Sequence, residues 1–366
     1  MLRKALYGLK QAPHEWSNEL RSTLTALGYT SAGADQCILT KPTADGRRII
    51  LGLYVDDTLI VYDKVDEHVW LADKHSISQK YEIEDLGDAR WILNMRVLRD
   101  RSNRIITLDQ SAYVQKILTD QSMDQVKIAK TPYFVTDLTQ APAPTDISMR
   151  TLDEQHHAYF RTIIGLLLYA ANNTRIDIAH AVGVLARYVQ YHLTAAKHVL
   201  RYLSGTVNLG IAFGSHSTTM PHGLHVNIYC DSDWANSRDD RKSTSGIIVT
   251  LNNDVIYWSS KKQNTVSLSS TEAEYIALSE SAKDALWMRQ WCSQVLNTDE
   301  VVHIHSDNQS ALAITKHDGA GNHTRTKHID TRLHHIRDHI RRGDIKVHWV
   351  PTTEQIADLL TKGLAP

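Results

Sequence analysis

Apolar and polar positions alternate with two different periods along this chain. Near the N-terminus Trp16, Leu20, Leu24 and Leu27 recur at helical spacing and predict an amphipathic helix. The segment Arg48–Tyr62 reads differently, as two β-type apolar runs broken only by Asp56 and Asp57, which predicts a hairpin with the acids at its tip. Helical patterning returns over Tyr159–Ala170, Asp177–Tyr191 and His192–Thr206. Residues 133–153 carry Pro142, Pro144 and several Thr and Asp with little periodicity, and read as a linker.

From residue 223 onward the pattern alternates. Short β-type runs fall at His225–Cys230, Ser245–Leu251 and Asp254–Trp258, the last two separated by Asn252-Asn253, a hairpin signal. A long helix is predicted over Ser270–Leu296, a strand at Val301–His305 and a helix at Asn308–Lys316. Ile329, Leu333, Ile336 and Ile340 mark a further helix at 4, 3, 4 spacing. A strand at Ile345–Val350 and a helix over Glu354–Thr361 close the chain. This order predicts a mixed five-stranded sheet with helices, so the fold class is α/β and α+β.

Composition narrows the function classes. The chain has 366 residues, 42% hydrophobic and 22% charged, as expected of a packed globular protein of two or three domains. Forty Lys and Arg against 41 Asp and Glu give a formal charge of -1, which argues against a uniformly basic nucleic-acid coat. Three scattered cysteines exclude a disulfide framework and a Cys-x-x-Cys zinc site, and point to a reducing, intracellular setting. The longest apolar run, Ile163–Ala171, is too short to span a bilayer, so no membrane partner is expected.

Six acids stand where they can do chemistry. Asp56 and Asp57 suit a simple turn, but adjacent carboxylates on a rigid hairpin tip also suit Mg²⁺. Asp231 and Asp307 each follow a predicted strand, Glu274 lies at the start of the long helix, and Asp358 is placed in the terminal helix. Singly, these are strand-exit or capping residues. Ser269 and Glu272 already make a capping box, so that helix start does not need Glu274. Strand ends and a helix start at one sheet edge converge their side chains, and clustered carboxylates without a cation would repel. Together the four suggest a two-metal hydrolytic centre for phosphodiesters.

Several motifs resemble copia-type retrotransposon Pol polyproteins. Leu6-Tyr-Gly-Leu-Lys-Gln-Ala-Pro13 followed by Tyr54-Val-Asp-Asp57 resembles their reverse transcriptase. The resemblance implies that Gln11 lies by the incoming nucleotide and that Asp56 and Asp57 are palm metal ligands. It also implies a further Asp on a strand before the first motif. This chain starts inside that motif, so an incomplete polymerase is expected, with the remainder of a Pol polyprotein as a partner. Residues 1–132 would be partial palm and thumb start, and 154–215 a helical thumb and connection region. Asn94 stands where the family usually has Gly, and Ile176 where it usually has Pro.

The last third resembles the family's ribonuclease H domain, here 223–366. The matching stretches are Cys230–Ala235, Lys242–Gly246, Ser269–Tyr275, Ser306–Ala311, His323–Asp330 and Gln355–Lys362. The resemblance implies that Asp231, Glu274, Asp307 and Asp358 hold Mg²⁺, or Mn²⁺, and that the RNA strand of an RNA–DNA hybrid is hydrolysed. Asp233 competes with Asp231 for the first position; Asp231 is preferred because it follows the strand directly. Template RNA and DNA are the further partners. The implied location is a cytoplasmic virus-like particle or the nucleus. Cellular relatives often carry a His in the loop before the last helix; Val350–Glu354 has none, which leaves the metals alone or an upstream His to serve.

Residues 316–349 hold eight Lys and Arg, four Asp and seven His. His328, Arg332, His335, His339 and Arg342 fall opposite the Ile/Leu stripe. With Lys327 they form either a solvated helix face or a ridge contacting hybrid phosphates. A copy that binds nucleic acid without turnover is the alternative to an enzyme.

Overall fold

The computed structural model describes residues 9–134, 153–187, 193–214, 223–237, 239–316 and 327–363, with side chains in the last stretch from 334 onward. Most of the stretch read as a linker, 133–153, lies outside the described residues, as do the first three residues of the Leu6–Pro13 motif. The chain divides into two compact units.

Unit one comprises residues up to Ala89 together with Trp287–Glu300. Its helix α1 (Ala12–Ala26) carries Pro13 at its start and buries Leu20 and Leu24, two of the positions that predicted it. Strands β1 (Thr30–Ser31), β2 (Ile38–Pro42), β3 (Arg48–Tyr54) and β4 (Asp57–Val61) form an antiparallel sheet in sequence order. Leu39, Ile49 and Leu51 pack with the α1 leucines, Tyr29 and Ile77 of α2 (Glu67–Ser78) in one core. Within it Asp73 is paired by Lys41 Nζ at 2.7 Å and by the Tyr29 hydroxyl at 2.9 Å, so its charge is compensated.

Unit two comprises Arg90–Leu286 and Val301–Pro366. Strands β5 (Trp91–Ile92), β6 (Met95–Asp100), β7 (Ile105–Asp109) and β8 (Gly210–Phe213) make a second antiparallel sheet. The turn between β5 and β6 places Leu93 at φ +48° and Asn94 at φ +59°. Asn tolerates that left-handed conformation better than any residue but Gly, which accounts for Asn94 in a glycine position. The Tyr169 hydroxyl donates to the Leu93 carbonyl at 2.8 Å and holds this turn.

Helices α3 (Ser111–Asp120), α4 (Glu154–Asn173), α5 (Ala179–Leu185) and α6 (Leu193–Gly205) share an apolar core around Phe160, Ile163, Leu167 and Leu200. The segment read as a helix over Asp177–Tyr191 is a 3₁₀ turn, Ile176–Ile178, followed by α5; residues 188–192 lie outside the described ones. Arg175 is buried there, bound by Asp177 at 2.7 Å and by the Thr206 carbonyl at 3.0 Å.

The last sheet is the mixed five-stranded sheet expected. Strands β9 (Val226–Ser232), β10 (Thr244–Leu251), β11 (Asp254–Lys262), β12 (Val302–Ser306) and β13 (Ile345–Trp349) are ordered β11-β10-β9-β12-β13. Pairing is antiparallel from β11 to β9 and parallel from β9 to β13. Helices α7 (Ser270–Trp291), α8 (Gln309–Lys316) and α9 (Lys327–Arg341) complete the expected order. The end departs from it. Glu354–Thr361 is two 3₁₀ turns, Thr352–Glu354 and Ile356–Leu360, separated by extended Gln355. The buried Gln355 amide donates to the Cys230 carbonyl at 2.9 Å and its oxygen accepts from Ala357 N at 3.3 Å. That double tie holds Gln355 extended and interrupts the helix.

Gly246 lies opposite Asp231 in the β9–β10 register. A Cβ there would fall 2.8 Å from the Ala357 carbonyl oxygen, 2.9 Å from Leu360 Cβ and 2.9 Å from Thr361 Cγ2. The C-terminal turn therefore needs glycine beneath it. Replacement Gly246→Val should lift that turn and destabilise unit two by about 1–3 kcal/mol, read from the denaturant midpoint of its unfolding. An unchanged midpoint would refute the packing argument.

Candidate metal centre

The edge where β9 and β12 end collects the acids. Asp231 is the penultimate residue of β9 and Asp307 follows β12 directly. At the α7 start, Ser269 Oγ accepts from Glu272 N at 3.1 Å while the Glu272 carboxylate accepts from Leu268 N at 2.7 Å. Ser269 and Glu272 thus cap the helix, which leaves Glu274 to point elsewhere. Buried Gln263 fastens the same corner, donating to Ser245 Oγ and to the Ala273 carbonyl, each at 2.9 Å.

Asp231, Glu274 and Asp307 each offer a carboxylate oxygen within 4.8 Å of the others. Asp231 and Glu274 are buried and Asp307 is half-buried. Glu274 Oε1 accepts from Ser232 N at 3.3 Å; its Oε2 is buried with no hydrogen-bond partner. Burial, then the charges of Asp231 and Asp307, push the Glu274 carboxyl up to about 9. Burial also raises Asp231, against the Thr361 hydroxyl that donates to its Oδ2. Thr352 Oγ1 donates to Asp307 Oδ2 at 2.8 Å, in the loop that carries no His, and Trp349 Nε1 donates to the Asp307 carbonyl at 3.1 Å.

Asp358 stands next to this group rather than in it. Lys362 Nζ lies 2.7 Å from Asp358 Oδ2 and 3.9 Å from Asp231 Oδ2, and Asp358 Oδ1 is buried without a partner. Burial pulls the Lys362 ammonium down, but Asp358, Asp231 and Asp307 together reverse this and hold it above its ordinary range. Asp233 is turned away from the centre. Its Oδ1 accepts from Thr244 N, and burial pushes its carboxyl up to about 6.

The donor set fits a divalent cation. It is all oxygen, carries excess negative charge and includes an unpaired buried oxygen, Glu274 Oε2. Asp231, Glu274 and Asp307 would hold the ion, with Asp358 beside them.

Asp56 and Asp57 are exposed at the β3–β4 turn, where Val55 adopts φ +56° and its carbonyl accepts from Trp16 Nε1 at 2.7 Å. A β-branched residue in that conformation is strained. Among the described residues no third acid joins the two in a metal-sized group. Gln11 is exposed just before α1.

Of the basic ridge, the side chains of Lys327, His328 and Arg332 lie outside the described residues. His335 is exposed, opposite buried Ile336. Arg342 is paired with Asp338 at 2.7 Å and His339 with Asp344 at 2.7 Å. Burial, then His339, lowers the protonation range of His335.

Sequence reasoning passed over another group of histidines. His303 Nδ1 and His348 Nε2 are 2.8 Å apart, His305 stacks on His348 and on Tyr229, and His305 Nε2 meets Asn227 Oδ1 at 3.0 Å. Alternation along β12 was the available signal, since it puts His303 and His305 on one face.

The strand order β11-β10-β9-β12-β13, with carboxylates gathered where β9 and β12 end, is a ribonuclease H-like fold. The family model described as reverse transcriptase (RNA-dependent DNA polymerase) matches residues 1–135. The retrovirus-related Pol polyprotein from transposon TNT 1-94 of Nicotiana tabacum is 36% identical over 99% of this chain and 27% of its own length. A putative transposon Ty5-1 protein of Saccharomyces cerevisiae is 30% identical over 76% of this chain and 87% of its own length. A foamy viral protease-reverse transcriptase solved in complex with dsDNA aligns with 95% of this chain and 60% of that one, at TM-score 0.49 and 12% identity. The chain belongs to the copia-type retrotransposon Pol family. It spans about a quarter of the TNT 1-94 polyprotein.

Two measurements test this geometry. Mg²⁺ or Mn²⁺ should raise the thermal midpoint of the wild type, by the equivalent of about 2.7 kcal/mol at a hundredfold excess over Kd. In Glu274→Gln most of that rise should vanish; a wild type indifferent to both ions would refute the metal centre. The second concerns His305, whose protonation range burial, then His348 and His303, lower to about 4. The unfolded chain binds that proton below about 6.5 and the folded chain only near 4. Stability is therefore present above pH 6.5 and falls as pH drops towards 4. Denaturation of His305→Phe should show a shallower pH slope than wild type.

Proposed function

We propose that this chain hydrolyses the RNA strand of RNA–DNA hybrids at the centre formed by Asp231, Glu274 and Asp307, with Asp358 as a fourth carboxylate. The observation that carries the reading is the convergence of three carboxylates around a buried, unpaired Glu274 oxygen. Mg²⁺ or Mn²⁺, when bound, supplies positive charge for the phosphodiester and makes a water nucleophilic near neutral pH.

The chain's own groups set the geometry. Thr361 donates to Asp231 Oδ2 and Thr352 to Asp307 Oδ2, so each carboxylate is held by one oxygen. Ser232 N does the same for Glu274. Lys362 balances Asp358 and Asp231. Proton movement has no His in the Val350–Glu354 loop to use. The ladder of His303, His305 and His348 is engaged within the sheet, and burial holds His305 and His348 below their usual protonation range.

His335 and Arg342 are proposed as hybrid contacts, Arg342 through exchange of Asp338 for a phosphate. RNA is chosen over DNA through 2′-hydroxyl contacts in the minor groove. Gln11, Asp56 and Asp57 are proposed as the nucleotide neighbour and metal ligands of the reverse transcriptase part, with template RNA and DNA as its partners.

The test is cleavage of a labelled RNA–DNA hybrid in Mg²⁺ and in Mn²⁺. Asp307→Asn should lose cleavage by several orders of magnitude while still melting as a folded protein and keeping its affinity for the hybrid. A wild type that leaves the hybrid uncut in both ions overturns the reading; hybrid binding without cleavage would mark a nucleic-acid-binding module instead.

A further inference from the structure

The helical region between the second and third sheets sends two side chains to the acid-bearing edge. Arg187, just after α5, donates to Thr244 Oγ1 at 3.2 Å, on the residue whose backbone holds Asp233. His180, on α5, reaches further. It is 4% exposed, and its Nδ1 lies 3.1 Å from the Leu360 carbonyl oxygen. A carbonyl can only accept, so His180 carries its proton on Nδ1. The Tyr133 ring stacks on it at 5.8 Å, and burial, then the charge of Arg187, keep it neutral down to about pH 4.

Leu360 sits at the hinge of the site. The next residue, Thr361, donates to Asp231 Oδ2. Lys362 follows, bridging Asp358 and Asp231. The same carbonyl accepts from Ser260 Oγ at 2.6 Å. Two donors on one carbonyl, one from β11 and one from α5, fasten the turn that faces the acids, above a glycine that lets it approach.

We propose that His180 is a positioning residue for the acid centre, holding Asp358, Thr361 and Lys362 in place through the Leu360 carbonyl. The helical region thereby becomes a working part of the nuclease site. The effect on catalysis rests on the hydrolytic reading above; the effect on the turn does not.

The experiment uses the full chain in three forms: wild type, His180→Phe and His180→Gln. Phe keeps the stack on Tyr133 and removes the donor; Gln restores an amide donor. Ser260 still pairs the carbonyl in both, so both should fold, checked by thermal melting. Hydrogen exchange should quicken in His180→Phe at the Thr361 and Lys362 amides, which now donate to the Asp358 carbonyl at 3.2 and 3.0 Å. Mg²⁺ affinity and kcat for hybrid cleavage should each fall about tenfold while KM for the hybrid holds. His180→Gln should recover most of each loss.

Unchanged exchange at those two amides in a folded His180→Phe overturns the proposal, as does a KM effect without a kcat effect. Should the wild type not cleave at all, the hydrolytic reading fails, and local exchange still decides the role of His180.

Discussion

Three carboxylates within 4.8 Å of one another, two of them buried, oppose folding unless something offsets their repulsion. At an effective dielectric of about 20, two unit charges at such a separation repel by roughly 3 kcal/mol. Much of unit two's last sheet can be understood as the means of holding that arrangement. Glu274 meets the cost by keeping its proton far above the ordinary carboxylate range. Asp231 is steadied by a threonine hydroxyl and a nearby ammonium, Asp307 by a second threonine. None of these supports comes from the strands that carry the acids. They come from residues 352–362, which lie against β9 and β10 only because Gly246 has no side chain. A cation among these oxygens would offset the same repulsion in place of the proton on Glu274.

The strands and the acids were legible because they follow rules that act locally. Alternation of buried and half-buried residues marks β9 and β12, and an acid at each strand end is visible in one dimension. Asp231 could be preferred over Asp233 for the same reason, and the structure turns Asp233 towards Thr244 N. The supports were not legible. Gln263 and Gln355 are polar residues in segments of ordinary composition, and only the folded sheet gives their amides buried partners. The terminal segment shows how local patterning fails. Ile356, Ala357, Leu359 and Leu360 have helical spacing, yet the tie from Gln355 to the Cys230 carbonyl, 125 residues away, prevails over propensity.

Histidine illustrates the same limit from the other side. In the sequence, the histidines of residues 316–349 read as a solvated helix face or a phosphate-contacting ridge. Structure divides the late histidines by sheet and helix. His303, His305 and His348 stack within the sheet, where desolvation lowers the protonation range of His305 and His348. His335 faces solvent on α9, while His339 is drawn to Asp344 five residues on. Counting bases along a sequence therefore overstates the positive charge available to a phosphate. What matters is which of them lacks an acid at arm's length.

Unit one shows the other way a site can be prepared. Its paired acids lie on a turn whose apex, Val55, is held in a conformation that β-branched residues avoid, with Trp16 of α1 bonded to the Val55 carbonyl. Strain of that kind persists only where surrounding packing over-determines it. The α1 leucines and β3 supply that packing. So the two acid sets differ in their support: Asp231 and Asp307 are steadied by hydrogen bonds and counter-charge, the hairpin acids by a backbone held taut. The first gathers its carboxylates in a partly buried group with counter-charge at hand; the second presents its carboxylates to solvent.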